Sequence, residues 1–139
     1  MASDINITVT EKGSHKVASS GSKWEPIMGY SRAVRSGSFI AVTGTVGVNA
    51  DGTYPKTVGE QARRSLQIIA AAIEALGGNL SNVVRTRMFV TDVTKWEEVA
   101  RVHGEVFAEI RPATSILEVT RLIDKDAMIE IEADAMLDK

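Results

Sequence analysis

The sequence predicts an α+β fold in which two helices cover one face of a β-sheet. Two segments carry apolar stripes with steps of three and four residues, and several short runs are rich in β-branched residues or alternate in polarity. The predicted element order is β-β-α-β-α-β-β, with a further strand expected at residues 5–9. Two helices can cover only one face of such a sheet, so we expect the other face to meet water or another subunit.

The composition indicates one globular domain spanning residues 1–139. Hydrophobic residues make up 44% of the chain and charged residues 24%, and the formal net charge is -2. This acidic balance argues against a nucleic-acid binder. The absence of cysteine excludes disulfides, thiolate nucleophiles and cysteine-based zinc sites. A polar N-terminus without a signal-peptide pattern, and no apolar run long enough for a bilayer, predict a cytoplasmic protein.

The first half of the chain has one strongly marked helix. Residues 13–26, rich in Ser and Gly, predict a loop, and residues 31–34 and 39–46 predict two strands joined by a turn at 35–38. Thr57 and Glu60 have the spacing of a capping box, and Gly77 follows the last apolar position of the helix. The apolar stripe between them consists of Ala62, Leu66, Ile69, Ile73 and Leu76.

The second half of the chain contains the other predicted helix, between predicted strands. Residues 83–90 predict a strand, and a second capping box at Thr94 and Glu97 predicts a helix that continues to Arg111 and Pro112. Residues 114–119 and 128–135 predict the last two strands.

Charged side chains form stripes on two of these strands. Glu130, Glu132 and Asp134 share one face of the last strand, and Arg85 and Arg87 share one face of strand 83–90. Either the basic stripe pairs with the acidic one, or both lie on a solvated face with ion pairs worth about 0–1 kcal/mol each. The residues alone leave both interpretations open.

Few residues offer catalytic chemistry. His103 falls on the apolar stripe of the second helix, where a packed, hydrogen-bonded residue and a catalyst are both possible, and His15 lies in the predicted loop. The two histidines have no metal-ligand spacing, so no metal site is predicted. Gly44 and Gly47 do not form a phosphate loop; they mark a strand end that needs glycine, or a backbone that lets a small ligand approach.

Two kinds of charged group remain as candidates. Glu130 or Glu132 could serve as a general base if the sheet face is buried, because burial raises the pKa of a carboxylate. Arg87 could bind a substrate carboxylate through its bidentate fork.

An ordered series of motifs resembles a known family. The segments are Gly29-Tyr30-Ser31, FIAVTGTVG at 39–47, EQAR at 60–63, LGG at 76–78, MFVTDV at 88–93, RPATS at 111–115, EVTRL at 118–122 and IEIEA at 129–133. Together they closely resemble the reactive intermediate deaminase (Rid) family, also called the YjgF family. The match covers roughly residues 28–135 and leaves residues 1–27 outside it.

The resemblance implies a fold, an assembly and a chemistry. It implies a chorismate-mutase-like mixed sheet backed by two helices, and a homotrimer whose sheets line a central barrel with ligand clefts between subunits. Active members hydrolyse small enamines and imines, such as 2-aminoacrylate and its 2-imino acid tautomer, to a keto acid and ammonia without metal or cofactor. An arginine holds the substrate carboxylate while a positioned water attacks the electrophilic carbon.

Site residues carry over position by position. Tyr30, Glu130 and Glu132 match the family pattern as catalytic candidates, and Thr43 replaces a serine conservatively. The substrate-binding candidates are Arg87, Thr114, Thr43, Gly44 and Ile116.

The chain departs from the active branch at three of the family's positions. Thr114 stands where active members have arginine, Ile116 where they have a small residue, and Ala100 where they often have asparagine. A threonine brings no charge to the carboxylate. Arg87 is the hypothetical replacement, unless it pairs with Glu130 or Glu132.

Three functions follow from these observations. The first is a Rid-like hydrolase that deaminates small enamine or imine metabolites, and the second is a non-catalytic trimer that binds a small ligand in the same cleft. The third is an endoribonuclease or translation inhibitor, against which the acidic pI of about 5.7 and the lack of a histidine pair argue. The expected partners are a small-molecule substrate and two further copies of the chain, not a membrane or a nucleic acid.

Overall fold

The computed structural model describes residues 4–138, and a seven-stranded mixed sheet runs through it. The strands lie in the order β1-β2-β3-β4-β7-β5-β6, with β5 and β6 parallel and all other neighbours antiparallel. Their bounds are Thr8–Lys12 (β1), His15–Ser19 (β2), Ala33–Ser36 (β3), Phe39–Val46 (β4), Val83–Val90 (β5), Ala113–Glu118 (β6) and Ile129–Met136 (β7). The predicted α+β class is confirmed.

Three α-helices accompany the sheet: α1 (Trp24–Met28), α2 (Val58–Ala75) and α3 (Trp96–Phe107). The predicted capping box starts α2, because the Thr57 hydroxyl accepts from the Glu60 amide at 3.1 Å and the Glu60 carboxylate accepts from the Thr57 amide at 3.2 Å. Gly77, with φ of 95°, follows the helix. Within residues 4–138, none of the helices has the length and apolar character that a bilayer crossing requires.

The core lies between the helices and one face of the sheet. Alternate residues of the central strands face the helices and are buried, while the intervening residues of β7 are Glu130, Glu132 and Asp134. The buried residues are Ile40, Val42, Met88, Val90, Ile129, Ile131, Ala133 and Ala135 on the strands, and Leu66, Ile69, Ile73, Val99 and Val102 on the helices. Two long helices on one face therefore leave the opposite face open, as predicted.

The prediction of a loop over residues 13–26 was wrong. β2 pairs with β3 and α1 follows it, so that this segment is structured by tertiary contacts that its Ser- and Gly-rich composition does not reveal. The strand expected at 5–9 lies later, at Thr8–Lys12, and forms a hairpin with β2.

The prediction of a second capping box at Thr94 and Glu97 was also wrong. Asp92, not Thr94, caps this region: its carboxylate accepts from the Thr94 amide at 3.1 Å and starts a 3-10 turn that runs directly into α3. The helix ends at Phe107, before Arg111, whose φ of 55° is left-handed.

A bulge in β4 shapes the surface next to β7. Val42 pairs with Ala133 and Thr45 with Ile131, so Thr43 and Gly44 together occupy the length of one β7 residue. The extra residue turns the Thr45 side chain to the buried face. Bulges of this kind change the direction of side chains beside functional sites.

Candidate functional site

A cavity of about 780 Å³ lies where the bulge of β4 meets β7, α1 and the segment after β4. Five predicted site residues line it: Tyr30, Thr43, Gly44, Glu130 and Glu132. Its size suits a small molecule.

The N-terminal segment closes one side of this cavity. Residues 4–6 line it, and the Asp4 carboxylate lies 2.9 Å from Nη1 of Arg64 on α2. Arg64 also donates from Nε to the Val48 carbonyl at 3.0 Å. One arginine therefore joins the N-terminal segment to the loop that follows β4.

Glu130 is a cavity carboxylate whose pKa is raised by its environment. Burial raises its pKa and the negative charge of Glu132 adds to the rise, while the positive charge of Arg32 opposes it. The carboxyl group lies against Gly44, since a Cβ atom there would come within 2.8 Å of Glu130 Cδ. Glycine at position 44 thus makes room for the Glu130 side chain.

Arg32 is a buried residue of the cavity wall that the sequence did not indicate. Its Nη1 donates to the Gly44 carbonyl at 2.9 Å and to Thr45 Oγ1 at 3.2 Å, and its Nη2 donates to Tyr30 Oη at 3.1 Å. The short run Tyr30-Ser31-Arg32 does not show from its sequence whether the arginine is buried or exposed. Only the folded arrangement of the bulge around it identifies its role.

Tyr54 is a second residue that the sequence did not indicate. Burial and the negative charge of Asp124 raise its pKa, with smaller contributions from Asp126 and Glu130. Tyr54 and Asp124 both line the cavity. The Tyr54 phenol therefore remains protonated and able to donate a hydrogen bond.

Arg87 lies in an ion-pair cluster on the open face of the sheet. Its Nη1 is 3.1 Å from Glu132 Oε1 and 3.6 Å from Asp134 Oδ2. Direct pairing of β5 with β7 puts Arg87 opposite Glu132. Arg87 of the basic stripe therefore pairs with Glu132 and Asp134 of the acidic stripe. Arg87 is not among the described residues that line the cavity.

Thr114 and His103 lie at a different place, beside a second cavity of about 540 Å³ between α3 and β6. Thr86 Oγ1 is 2.9 Å from His103 Nε2 and 2.9 Å from Thr114 Oγ1. Burial lowers the pKa of His103, and its ring contacts Phe107 at a centroid distance of 4.6 Å. His103 is therefore a packed, hydrogen-bonded residue whose neutral form is favoured.

Within one chain, three predicted site residues, Arg87, Thr114 and Ile116, are not among the residues that line the larger cavity. Thr114 lines the second cavity, while Ile116 packs against the core as a partly buried residue of β6. Among residues 4–138, no group of three or more His, Asp or Glu side chains is arranged to hold a metal ion.

The fold and the larger cavity define a class: a mixed sheet with helices on one face and a cavity of ligand size beside a strand bulge. The family model described as endoribonuclease L-PSP matches residues 20–137, and the chain belongs to this family. The 2-iminobutanoate/2-iminopropanoate deaminase of Escherichia coli is 38% identical over 111 residues, which cover 77% of this chain and 86% of that protein.

Solved structures agree with this assignment. Rv2704 of Mycobacterium tuberculosis, a member of the YjgF/YER057c/UK114 family, is 44% identical with a TM-score of 0.83, covering 89% of this chain and 100% of that one. Escherichia coli TdcF, solved with bound serine, is 31% identical with a TM-score of 0.73, covering 78% and 87%. The predicted Rid/YjgF family and its chorismate-mutase-like fold are confirmed.

Proposed function

We propose that this protein is a hydrolase that deaminates small enamine or imine metabolites, of the 2-aminoacrylate and 2-imino acid type or a related one. The observation that carries the proposal is that Glu130 and Tyr30 line the same cavity: a partly buried carboxylate of raised pKa and a phenol that accepts from Arg32. The name of the Escherichia coli relative supports the same chemistry. We assign the reaction to the cytoplasm, without metal or cofactor.

The reaction needs one water per imine. Water adds to the imine carbon, and one of its protons passes to the nitrogen by way of Glu130. The hydroxyl proton of the resulting amino alcohol then moves to the same nitrogen as the carbon–nitrogen bond breaks. The products are a carbonyl compound and ammonia, with no change of oxidation state. Glu130 as general base and the Tyr30 hydroxyl as donor fit these steps.

The complete site is proposed to form between copies of the chain in a homotrimer. Thr114 lies apart from Tyr30 and Glu130 within one chain, so a second copy is needed to bring the two groups together. The open sheet face carries exposed apolar side chains beside its ion pairs, among them Phe39 (39% exposed), Leu117 (46%) and Met136 (46%). Apolar area of this kind favours burial against another subunit.

The non-catalytic alternative, a trimer that only binds a small ligand, has a specific observation in its favour. The Thr114 hydroxyl is held by Thr86, and Arg87 is held by Glu132 and Asp134. Thr114 has no charge, and the charge of Arg87 is already paired, so neither residue provides a free cation for a substrate carboxylate. A ligand with a neutral polar group in that position suits Thr114 better.

A coupled assay separates the two functions. An amino-acid oxidase generates 2-imino acid in situ, and the loss of semicarbazide-trappable imine is followed with and without the protein. We expect acceleration by the wild type, a large loss in Glu130→Gln, and wild-type rates in Glu11→Gln, a matched change on exposed β1.

Mass measurement accompanies the assay. A species of three times the 15.0 kDa chain mass supports the trimer. A trimer without acceleration would leave the ligand-binding function, and a monomer would remove the proposed cleft. Salt-dependent RNA binding would instead favour the endoribonuclease alternative.

A further inference from the structure

The cavity wall contains a buried positive charge to which the proposed reaction assigns no role. Arg32 is 6% exposed, and its Nε has no hydrogen-bond partner among the described residues. Removing a guanidinium group from water is strongly unfavourable unless nearby charges and hydrogen bonds compensate for the lost hydration. The groups that surround Arg32 must therefore compensate for the burial of its charge.

The hydrogen bonds of Arg32 all reach groups at the cavity. The Gly44 carbonyl and the Thr45 hydroxyl accept from Nη1, and the Tyr30 hydroxyl accepts from Nη2. Because the Tyr30 oxygen accepts from Arg32, its own proton stays available for a ligand in the cavity. The arginine therefore sets the direction in which Tyr30 donates.

Two carboxylates are related to the Arg32 charge. Glu25 Oε2 lies 4.0 Å from Nε, but Glu25 already accepts from the Ser20 amide at 3.1 Å and the Ser20 hydroxyl at 2.8 Å. The Glu130 carboxyl group lies against Gly44, whose carbonyl accepts from Arg32. Gly44 is thus in contact with both the cation and the cavity carboxylate.

We propose that Arg32 is a positioning residue of this cavity: it fixes the Tyr30 hydroxyl and the Gly44 carbonyl, and it provides the positive charge opposed to the Glu130 carboxylate. This deepens the proposed function and rests on it for its catalytic meaning. A base that activates water must be ionised, and Arg32 favours the ionised form against the burial that raises the pKa of Glu130.

The other charged or titratable groups around Glu130 do not replace Arg32 in this role. Glu132, on the same strand, raises the pKa of Glu130, and its own charge is paired with Arg87 of β5. The remaining charged or titratable groups that line the cavity are Asp4, Lys23, Tyr30, Tyr54, Arg64 and Asp124, and Arg64 is paired with Asp4. Among the cations that line the cavity, Arg32 is the one whose charge lowers the pKa of Glu130.

The test is the titration of Glu130 followed by carbon-13 NMR of glutamate carboxyl groups, with Glu130→Gln used to assign the signal. The proteins compared are the wild type, Arg32→Met and Arg32→Lys. We expect the Glu130 midpoint to move to higher pH in Arg32→Met and to return toward the wild-type value in Arg32→Lys, which restores the charge. An unchanged midpoint in folded Arg32→Met would overturn the proposal.

Two further variants serve as a substitute and as a control in this test. Arg32→Gln can still donate to the Gly44 carbonyl, and it serves as the neutral variant if Arg32→Met does not fold. Tyr30→Phe keeps the arginine, so its Glu130 midpoint should stay near that of the wild type. A shift in Tyr30→Phe as large as in the neutral variants would assign the effect to packing and contradict the proposal.

This titration requires no turnover. If the Glu130 midpoint shifts as expected in the Arg32 variants but the wild type hydrolyses no imine, the proposed reaction is refuted and the role of Arg32 stands. If the wild type hydrolyses imine but the midpoint does not shift, the role of Arg32 is refuted and the proposed reaction stands.

Discussion

Gly47 packs directly against the backbone of Gln61 in α2. A Cβ atom on Gly47 would lie 2.8 Å from the Cα atom of Gln61 and closer still to its carbonyl oxygen. The contact sets the distance between the end of β4 and the helix that covers the sheet. Backbone atoms, unlike the end of a flexible side chain, cannot move aside without displacing α2.

Gly47→Ala should therefore destabilise the protein by about 3 kcal/mol, the upper part of the range for overpacked interiors. Urea unfolding followed by circular dichroism measures this change. Gly104→Ala is the control: a Cβ atom on Gly104, inside α3, meets no described atom within 4 Å. It should stabilise by up to about 1 kcal/mol, because alanine favours helix over glycine. Equal effects of the two changes would contradict the role of the Gly47 contact.

Gln61→Leu should lower the free energy of unfolding by about 3 kcal/mol. The fully buried Gln61 amide donates to the carbonyls of Pro55 and Asp126, both at 3.0 Å, and accepts from the Met128 amide at 2.8 Å. Leucine leaves these three partly buried backbone groups without their partner, and each such group costs about 1–3 kcal/mol when water cannot reach it.

The matched control for this change is Gln67→Leu, on the same helix but partly exposed. We expect it to change the free energy of unfolding by less than about 0.5 kcal/mol. A Gln61→Leu protein as stable as Gln67→Leu would mean that water replaces the lost hydrogen bonds.

Glu130→Gln should raise stability at neutral pH. The pKa of Glu130 is raised above its ordinary value, first by burial, so the native protein binds this proton more tightly than the unfolded chain does. The neutral form is therefore favoured in the native state, and stability is lost as pH rises through the folded pKa. The melting temperature of Glu130→Gln should exceed that of the wild type at pH 7, and the two should converge below the ordinary glutamate pKa of 4.5.

Glu132→Gln provides the comparison on the same strand face. It breaks the ion pair with Arg87 and should lower stability by up to about 1 kcal/mol. If both glutamines changed the melting temperature in the same direction, the two carboxylates would not have the different environments described above.

His103 should make the protein less stable at mildly acidic pH. Burial lowers its pKa below the ordinary 6.5, so the unfolded chain takes up the proton first as pH falls. Its contribution is fully present above about pH 6.5 and is lost as pH falls toward the folded pKa. Between pH 5 and 7, the free energy of unfolding should therefore depend less on pH in His103→Gln than in the wild type, which urea unfolding at several pH values measures.

The sequence predicted elements well where a local signal was strong. β5 spans Val83–Val90, as the alternating pattern predicts, and the Thr57 cap starts α2. β2 (His15–Ser19) was missed because its polar five-residue run has little local preference and is stabilised by pairing with β3. Local sequence contains no information about a partner strand some distance along the chain.

The candidate site was predictable only in part, for a similar reason. The motif match supplied Tyr30, Glu130 and Thr43. Pairing of Arg87 with Glu130 or Glu132 was one of two alternatives that the sequence left open, because choosing between them requires knowing that β5 and β7 are neighbours. Arg32 becomes recognisable only when the bulge closes around it. Side-chain partners of this kind are a property of the folded backbone.

The position of Asp4 has a practical consequence for anyone handling the protein. Because residues 4–6 form part of the cavity wall and Asp4 is joined to Arg64, an affinity tag fused to the N-terminus would be only a few residues along the chain from the candidate cavity. Binding measured on such a fusion would include the influence of the tag. A tag at the other terminus, or one removed by protease before the ligand screen, avoids this influence.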